Sequence, residues 1–302
     1  MSPIPQHLTF HTSPFYTATL SPTPSTPSEV LLHLPSPLHT LPRPLFTQTL
    51  LSAAHLSALL KLTTRAPRIA LATTADRTIH LIPLHGLSQT WKPALDPIKE
   101  FHETYPGYVS SRSGPRISDA SLQQVQDSIT GDAKPAMDTT CSAPADKAGN
   151  LFARIVRGEE AQWRVWESST HVAFLTPFGN CPGKTVVVPR AHLDSDVLGL
   201  PAGDLEGMMG AVWEVMRVLE ASGLRPERVG LILEGMEIDW AHAKLVPVCF
   251  GSGGEVDGGR QGFVEAYGGS VSTLPGPEGR MEELEEMVGR LREAVKEMGG
   301  EL

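Results

Sequence analysis

The segment Asp239-Trp240-Ala241-His242-Ala243-Lys244-Leu245-Val246-Pro247 sets an indole, an imidazole and an ammonium at every second position. Side chains of a strand alternate between faces, so Trp240, His242 and Lys244 are expected on one side and Ala241 and Ala243 on the other. The small alanines permit tight packing behind the strand. A neutral imidazole beside an ammonium suits attack on a phosphorus that carries negative charge. Histidine can serve as the nucleophile through a covalent phosphoramidate-type intermediate, and lysine can neutralise the phosphoryl oxygens. A lone strand histidine is more often a packing residue, so the surrounding elements must decide the matter.

Those elements read clearly. Residues 151–156 form a short helix ending before Gly158. Segments 162–167 and 171–176 alternate as a hairpin, and 185–188 is a buried strand between Gly183 and Pro189. Over 204–222, Leu205, Met208, Met209, Val212, Val215, Met216 and Leu219 make one apolar helical stripe. A strand at 229–233, a tight Glu-Gly-Met-Glu turn and a strand at 238–248 follow. A helix at 281–298 closes the chain, its outer face carrying solvated charges such as Glu282, Glu285 and Arg292. Short hairpins with separate helices indicate an α+β fold built on antiparallel sheet.

The chain is also duplicated. Phe101, Glu103, Tyr105, Gly107, Val109, Ser110, Gly114 and Pro115 recur 162 residues later as Phe263, Glu265, Tyr267, Gly269, Val271, Ser272, Gly276 and Pro277. Upstream, His80-Leu-Ile-Pro83 matches Lys244-Leu-Val-Pro247, and Arg68-Ile-Ala-Leu71 matches Arg228-Val-Gly-Leu231. Four extra residues lie between those anchors in the second copy, within 234–240. More thinly, Glu29-Val-Leu-Leu matches Lys184-Thr-Val-Val. The first copy also carries a long helix at 45–61 and strands at 68–73 and 77–83. A repeat of this period means two copies of one folding unit, 6–130 and 149–302. The small, polar stretch 131–148 reads as a flexible linker between them. Thr78 falls opposite His242, so the first copy lacks the nucleophile.

A net charge of -9 over 302 residues argues against a nucleic-acid duplex as partner. No apolar run is long enough to span a bilayer, which speaks against a membrane partner. Before Asp76 the only acidic residue is Glu29, a bias found in transit peptides, but arginine is sparse there. Cys141, Cys181 and Cys249 show no paired spacing and suit a reducing compartment. The expected location is cytoplasmic, with nucleus or organelle as alternatives. Cys249, just after a strand, reads as a structural thiol.

Residues 151–250 resemble the histidine triad (HIT) superfamily. Leu151-Phe152-Ala-Arg-Ile155-Val-Arg-Gly158-Glu159 looks like its opening helix and turn, and Val165-Trp166-Glu167 with Val172-Ala-Phe174-Leu175 looks like its hairpin. Pro182-Gly183-Lys184-Thr-Val-Val-Val-Pro189-Arg190-Ala-His192 is similar to the family's Pro-Gly-His-x-Leu-Val-Ile-Pro-Lys-x-His segment. The triad position here resembles a divergent branch reading His-x-His-x-Lys. The Tyr-Pro-Gly-Tyr-Val-Ser and Gly-Pro motif, followed by a helix, is familiar from the same branch.

That resemblance implies two tandem HIT-like units, each an antiparallel sheet with a long helix and a C-terminal helix, packed as an intrachain pseudo-dimer. It implies a monomer that binds a nucleotide or nucleotide conjugate, with His242 attacking the α-phosphate and water or another acceptor receiving the nucleotide. Trp240 replaces the first triad histidine and Lys244 the third, while Phe152, Ile155 and Phe174 match residues lining the base and ribose pocket. Thr176 stands where the family usually has an aspartate on the ribose, Leu233 where it has an asparagine, and the Gly-Gln-Ser loop is missing. Asn150 and Ala153 replace the cysteines of zinc-binding relatives, so no metal is expected at His192. No cofactor is implied. A nucleotide hydrolase or nucleotidyltransferase leads. A catalytically weak nucleotide-binding protein and a scaffold recruited to acid/base chemistry stay open.

Overall fold

The apolar runs that mark strands in the sequence line up in one layer. The computed structural model describes residues 4–73, 76–88, 90–251 and 259–299. Its strands are β1 (Thr9–Thr12), β2 (Thr17–Leu20), β3 (Val30–His33), β4 (Ile69–Thr73), β5 (Thr78–Pro83), β6 (Trp163–Glu167), β7 (His171–Leu175), β8 (Thr185–Pro189), β9 (Arg228–Leu233) and β10 (Ala243–Val248). They form a ten-stranded sheet in the order β1-β2-β3-β5-β4-β9-β10-β8-β7-β6. Every neighbouring pair is antiparallel. Five α-helices accompany it: α1 (Arg43–Thr64), α2 (Asp119–Thr130), α3 (Leu151–Val156), α4 (Ala202–Glu220) and α5 (Met281–Glu297). The fold is α+β.

The duplication is visible in the register. At the β4–β9 seam Leu71 faces Leu233, Ala72 faces Ile232 and Thr73 faces Leu231. If Leu71 and Leu231 are equivalent, a two-fold axis through the Ala72–Ile232 pair exchanges the two outer pairings. The equivalence carries outward: Ala72 pairs with His80 as Ile232 pairs with Lys244. It also aligns Leu31, opposite His80, with Val186, opposite Lys244. A second point on the axis is the antiparallel bridge between Ser110 and Ser272.

One face of the sheet is covered by α1 and α4, whose buried side chains include Leu50, Leu56, Leu60, Met208, Val212, Met216 and Leu219. Full burial of each such side chain contributes about 1.5–3 kcal/mol. Ala241, Ala243 and Leu245 point into this core. Strand alternation therefore turns Lys244 to the opposite face, where the cleft lies, and His242, just before the strand, lines the same cleft.

The C-terminal extension of each copy crosses to the other half. From the first copy, α2 packs on β6, where Gln126 Nε2 donates to the Arg164 carbonyl at 2.7 Å. From the second, α5 packs on β1 and α1, where Arg292 Nε donates to the Thr9 carbonyl at 3.1 Å. Two glycines of the repeated motif follow from this exchange. A Cβ on Gly114 would meet the Gly179 carbonyl oxygen at 2.1 Å, and one on Gly276 would meet that of Pro24 at 1.9 Å.

The stretch 131–148 is docked, contrary to a freely flexible linker. Arg190 Nη1 donates to the carbonyls of Asp138 (2.7 Å) and Thr140 (3.2 Å), and Arg164 Nη1 donates to that of Asp138 (2.6 Å). Ser142 forms a parallel bridge with Ala191. Both arginines are buried and share the Glu167 carboxylate, at 2.5 Å from Arg164 and 2.9 Å from Arg190. Buried charge thus fixes a segment whose composition shows no apolar pattern.

Candidate functional site

The connection from β9 to β10 turns sharply at Gly235, which has φ +74°. A Cβ there would meet the Ser195 carbonyl oxygen at 2.0 Å. Residues 236–242 are irregular, so the strand begins at Ala243 and not near 238 as the alternation suggested. Ala241 N–H donates to the Leu193 carbonyl at 2.9 Å and holds this stretch against the sheet.

His242 is buried, with Nδ1 2.8 Å from the Trp240 carbonyl oxygen. A carbonyl only accepts, so Nδ1 carries the proton and Nε2 keeps its lone pair. Burial, reinforced by the Lys244 charge, lowers His242 to about 4. The Phe152 ring meets the imidazole edge-on, centroids 5.2 Å apart, and Phe152 in turn packs on Phe174 at 5.9 Å. The ring is neutral, oriented and wedged.

Lys244 Nζ lies 2.6 Å from Glu237 Oε2 and 3.2 Å from Glu234 Oε2. Burial opposes its charge, but the two carboxylates outweigh burial and raise its pKa. Burial would likewise raise Glu237, yet Lys244 holds that carboxyl down at about 2. A second lysine, Lys184, donates to Asn180 Oδ1 (2.8 Å) and to the carbonyls of Arg112 (3.0 Å) and Ser110 (3.3 Å). Burial, with repulsion from Lys244, brings Lys184 down to about 8.

These groups line one cleft of about 540 Å³, a size that suits a small-molecule ligand. Phe152, Ile155, Phe174 and Val186 form an apolar wall, and neutral His242 with the charged Lys244, Lys184 and Glu237 a polar one. Thr176 lies on the rim, where its hydroxyl accepts from Phe178 N–H at 3.2 Å. Of the seven residues expected at a site, the cleft brings together His242, Lys244, Phe152, Ile155, Phe174 and Thr176. Trp240 does not line it. The indole shares the face of His242 but is fully buried, donates from Nε1 to the Pro189 carbonyl (3.0 Å) and packs on His192. Its bulk serves the apolar cluster beneath the cleft.

Sequence reading left out the residues that the crossing segment brings. Ser111, Ser113 and Arg116 belong to the first copy yet line the cleft of the second. Ser111 Oγ donates to Glu234 Oε1 (2.9 Å), and Ser113 Oγ donates to Glu237 Oε1 (3.1 Å). Tyr267 O–H also donates to Glu234 Oε1, at 2.6 Å. The signal available was the repeat motif itself, which spans Ser110 to Pro115. The four-residue insertion was the signal for Glu237.

In the first half, Thr78 replaces His242, and His80 replaces Lys244. His80 Nδ1 lies 2.8 Å from buried Glu29 Oε1. Glu29 Oε2 accepts from both the backbone N–H and the hydroxyl of Ser25. That network is closed on itself. Burial pushes Cys181 up to about 12 and raises Cys249, so neither thiol is an activated nucleophile. Among the described residues no cluster of His, Cys, Asp or Glu is arranged to hold a metal ion.

No family model matches the chain. It is similar in structure to a HIT-like protein from Bartonella henselae, 22% identical, over 49% of this chain and 96% of that one, with a TM-score of 0.30. It is also similar to a uridylyltransferase, 12% identical, over 89% of this chain and 75% of that one, TM-score 0.43. An ADP-glucose phosphorylase from Arabidopsis thaliana, solved with ADP-glucose, is 9% identical over 92% of this chain and 80% of that one, TM-score 0.44. The structural neighbours of this chain thus include HIT-like proteins and uridylyltransferases, some along most of its length.

Proposed function

We propose that the protein is a nucleotide hydrolase or nucleotidyltransferase that attacks a nucleotide α-phosphate through His242. The observation that carries this reading is the ring itself. It is neutral, has Nδ1 committed to the Trp240 carbonyl, and lies on a cleft with an aromatic wall for a nucleoside and lysines for a phosphate. The sequence resemblance to the HIT superfamily supports the same chemistry.

In the first step Nε2 forms a bond to the α-phosphorus while the bond to the leaving group breaks, its electron pair going with that group. Lys244 and Lys184 balance charge on the phosphoryl oxygens. In the second step water attacks the phosphorus, the P–N bond breaks, its pair returns to Nε2, and the proton of water passes to solvent. Another nucleophile in place of water makes the protein a transferase.

The test is intact-protein mass analysis after incubation with adenosine polyphosphates and adenosine phosphoramidates. A nucleotidyl adduct is expected on the native protein and absent from His242→Asn. Equal adducts on both proteins would overturn the assignment.

A second reading, a nucleotide-binding protein with weak catalysis, is favoured by one observation. Lys244 is already paired with Glu234 and Glu237. Saturable nucleotide binding without adduct or turnover would support it.

A further inference from the structure

The match between the halves extends to the loops that each C-terminal extension crosses. Gly114 N–H donates to the Phe178 carbonyl, and Gly276 N–H to that of Thr23, both at 2.8 Å. Ile117 N–H donates to the Pro177 carbonyl (2.8 Å) and Gly279 N–H to that of Pro22 (2.9 Å). In the sheet, Leu20 pairs with Val30 as Leu175 pairs with Thr185. Leu20 is therefore the counterpart of Leu175, and Glu278 that of Arg116. Leu175 and Arg116 line the cleft that holds His242, and Leu20 and Glu278 line a groove of about 730 Å³ in the first half. The half without a nucleophile has an opening of its own.

The two openings differ in sign. The cleft lining has Lys99, Arg116, Lys184 and Lys244 against Glu160 and Glu237. The groove lining has Glu265, Glu278 and Glu283 against Arg280, and Arg280 is ion-paired with Glu283. Over residues 260–287 six glutamates stand against Arg260 and Arg280, and the facing loop 20–28 carries no charged residue. Farther along α5, Arg290 and Arg292 are turned to the carbonyls of Thr63 and Thr9. The rest of the groove is apolar, with Leu20, Pro24, Pro27, Phe263, Leu284 and Met287 on its walls. Phe263 is 43% exposed and its neighbour Val264 41%, an apolar rim of the kind that marks an interaction surface.

We propose that this groove is the docking site for a basic amphipathic segment of a partner protein, in which lysines or arginines flank large apolar side chains. The apolar side chains enter between Leu20, Phe263 and Met287, and the cations meet Glu265, Glu278 and Glu283, all three exposed. Charge complementarity selects this occupant. An acidic or phosphorylated segment is repelled here, and a second copy of this chain brings a net charge of -9 of its own. The docking does not depend on the chemistry at His242.

Fluorescence anisotropy of the full chain tests this with a labelled Lys–Leu peptide of about fourteen residues, its leucines at helical spacing. The native protein is expected to bind it about tenfold or more tightly than a Lys–Gly peptide of equal charge or a Glu–Leu peptide of equal length. Glu265→Lys with Glu278→Lys should weaken the Lys–Leu peptide by about tenfold or more. Glu282→Lys with Glu286→Lys reverses two charges on α5 outside the groove lining and should change it by less than about threefold. Phe263→Ala should weaken it by roughly threefold or more. All five positions are exposed, so the fold should survive each change, as circular dichroism will check. Equal weakening by the two charge reversals, or equal affinity for the Lys–Leu and Lys–Gly peptides, would show attraction to net charge alone and overturn the proposal. Failure of the native protein to bind the Lys–Leu peptide would overturn it as well.

Discussion

Lys244 and His80 occupy the same place in the two halves of the sheet, Lys244 opposite Ile232 and His80 opposite Ala72. One lines the cleft beside His242, and the other is held 2.8 Å from a buried glutamate. The difference predicts the cost of removing Lys244. Lys244→Met leaves Glu234 and Glu237 without their cation, and the expected loss of stability is about 3–5 kcal/mol. Urea unfolding measures it, and turnover on any nucleotide substrate should fall by about a hundredfold or more.

The pH profile has two limits. His242 is about 4 in the fold, so its lone pair is free above that value and activity should fall about tenfold per unit below it. Lys184 is about 8, so its charge is lost above that pH and an alkaline limb should appear. Lys184→Met should remove the alkaline limb while leaving the acid one. Stability follows the same sign. His242 and His171 both drop to about 4 from 6.5, chiefly through burial. The unfolded chain therefore binds more protons between these values, and stability falls as the pH is lowered through that window. Thermal unfolding from pH 7 to pH 4 checks this.

Glu167 is hydrogen-bonded to both Arg164 and Arg190. Glu167→Ala should cost about 3–5 kcal/mol, because it takes the carboxylate from buried Arg164 and leaves buried Arg190 with only Asp138, at 3.6 Å. Proteolysis should then cut first within 131–148, the segment those arginines hold.

Gly114 and Gly276 provide a matched pair. Each meets a carbonyl oxygen of the opposite half so closely that a methyl group must displace backbone, at a cost of about 1–3 kcal/mol. Gly114→Ala should also reduce turnover, because its loop carries Ser111, Ser113 and Arg116 to the cleft. Gly276→Ala should destabilise comparably with kcat preserved.

Much of this was legible in the chain. The offset of 160 residues between Leu71 and Leu231, and of 164 between His80 and Lys244, reappears as sheet register. The alternation of His242 and Lys244 against Ala241 and Ala243 correctly separated cleft from core. Three things were hidden. Alternation gives the face of Trp240 but not its depth, and the indole is covered by the neighbouring apolar cluster. A repeat in sequence order does not reveal which half each extension packs on, so Ser111 and Ser113 escaped notice. The docking of 131–148 depends on Arg164 and Arg190, which act through backbone carbonyls and leave no pattern in the segment they bind.

A crystal structure of the protein with a non-hydrolysable nucleotide analogue is the most direct test. The account predicts the α-phosphorus within about 3–3.5 Å of His242 Nε2, with the nucleoside against Phe152 and Phe174. A nucleotide bound elsewhere, or an imidazole turned so that Nε2 bonds to protein, would contradict it.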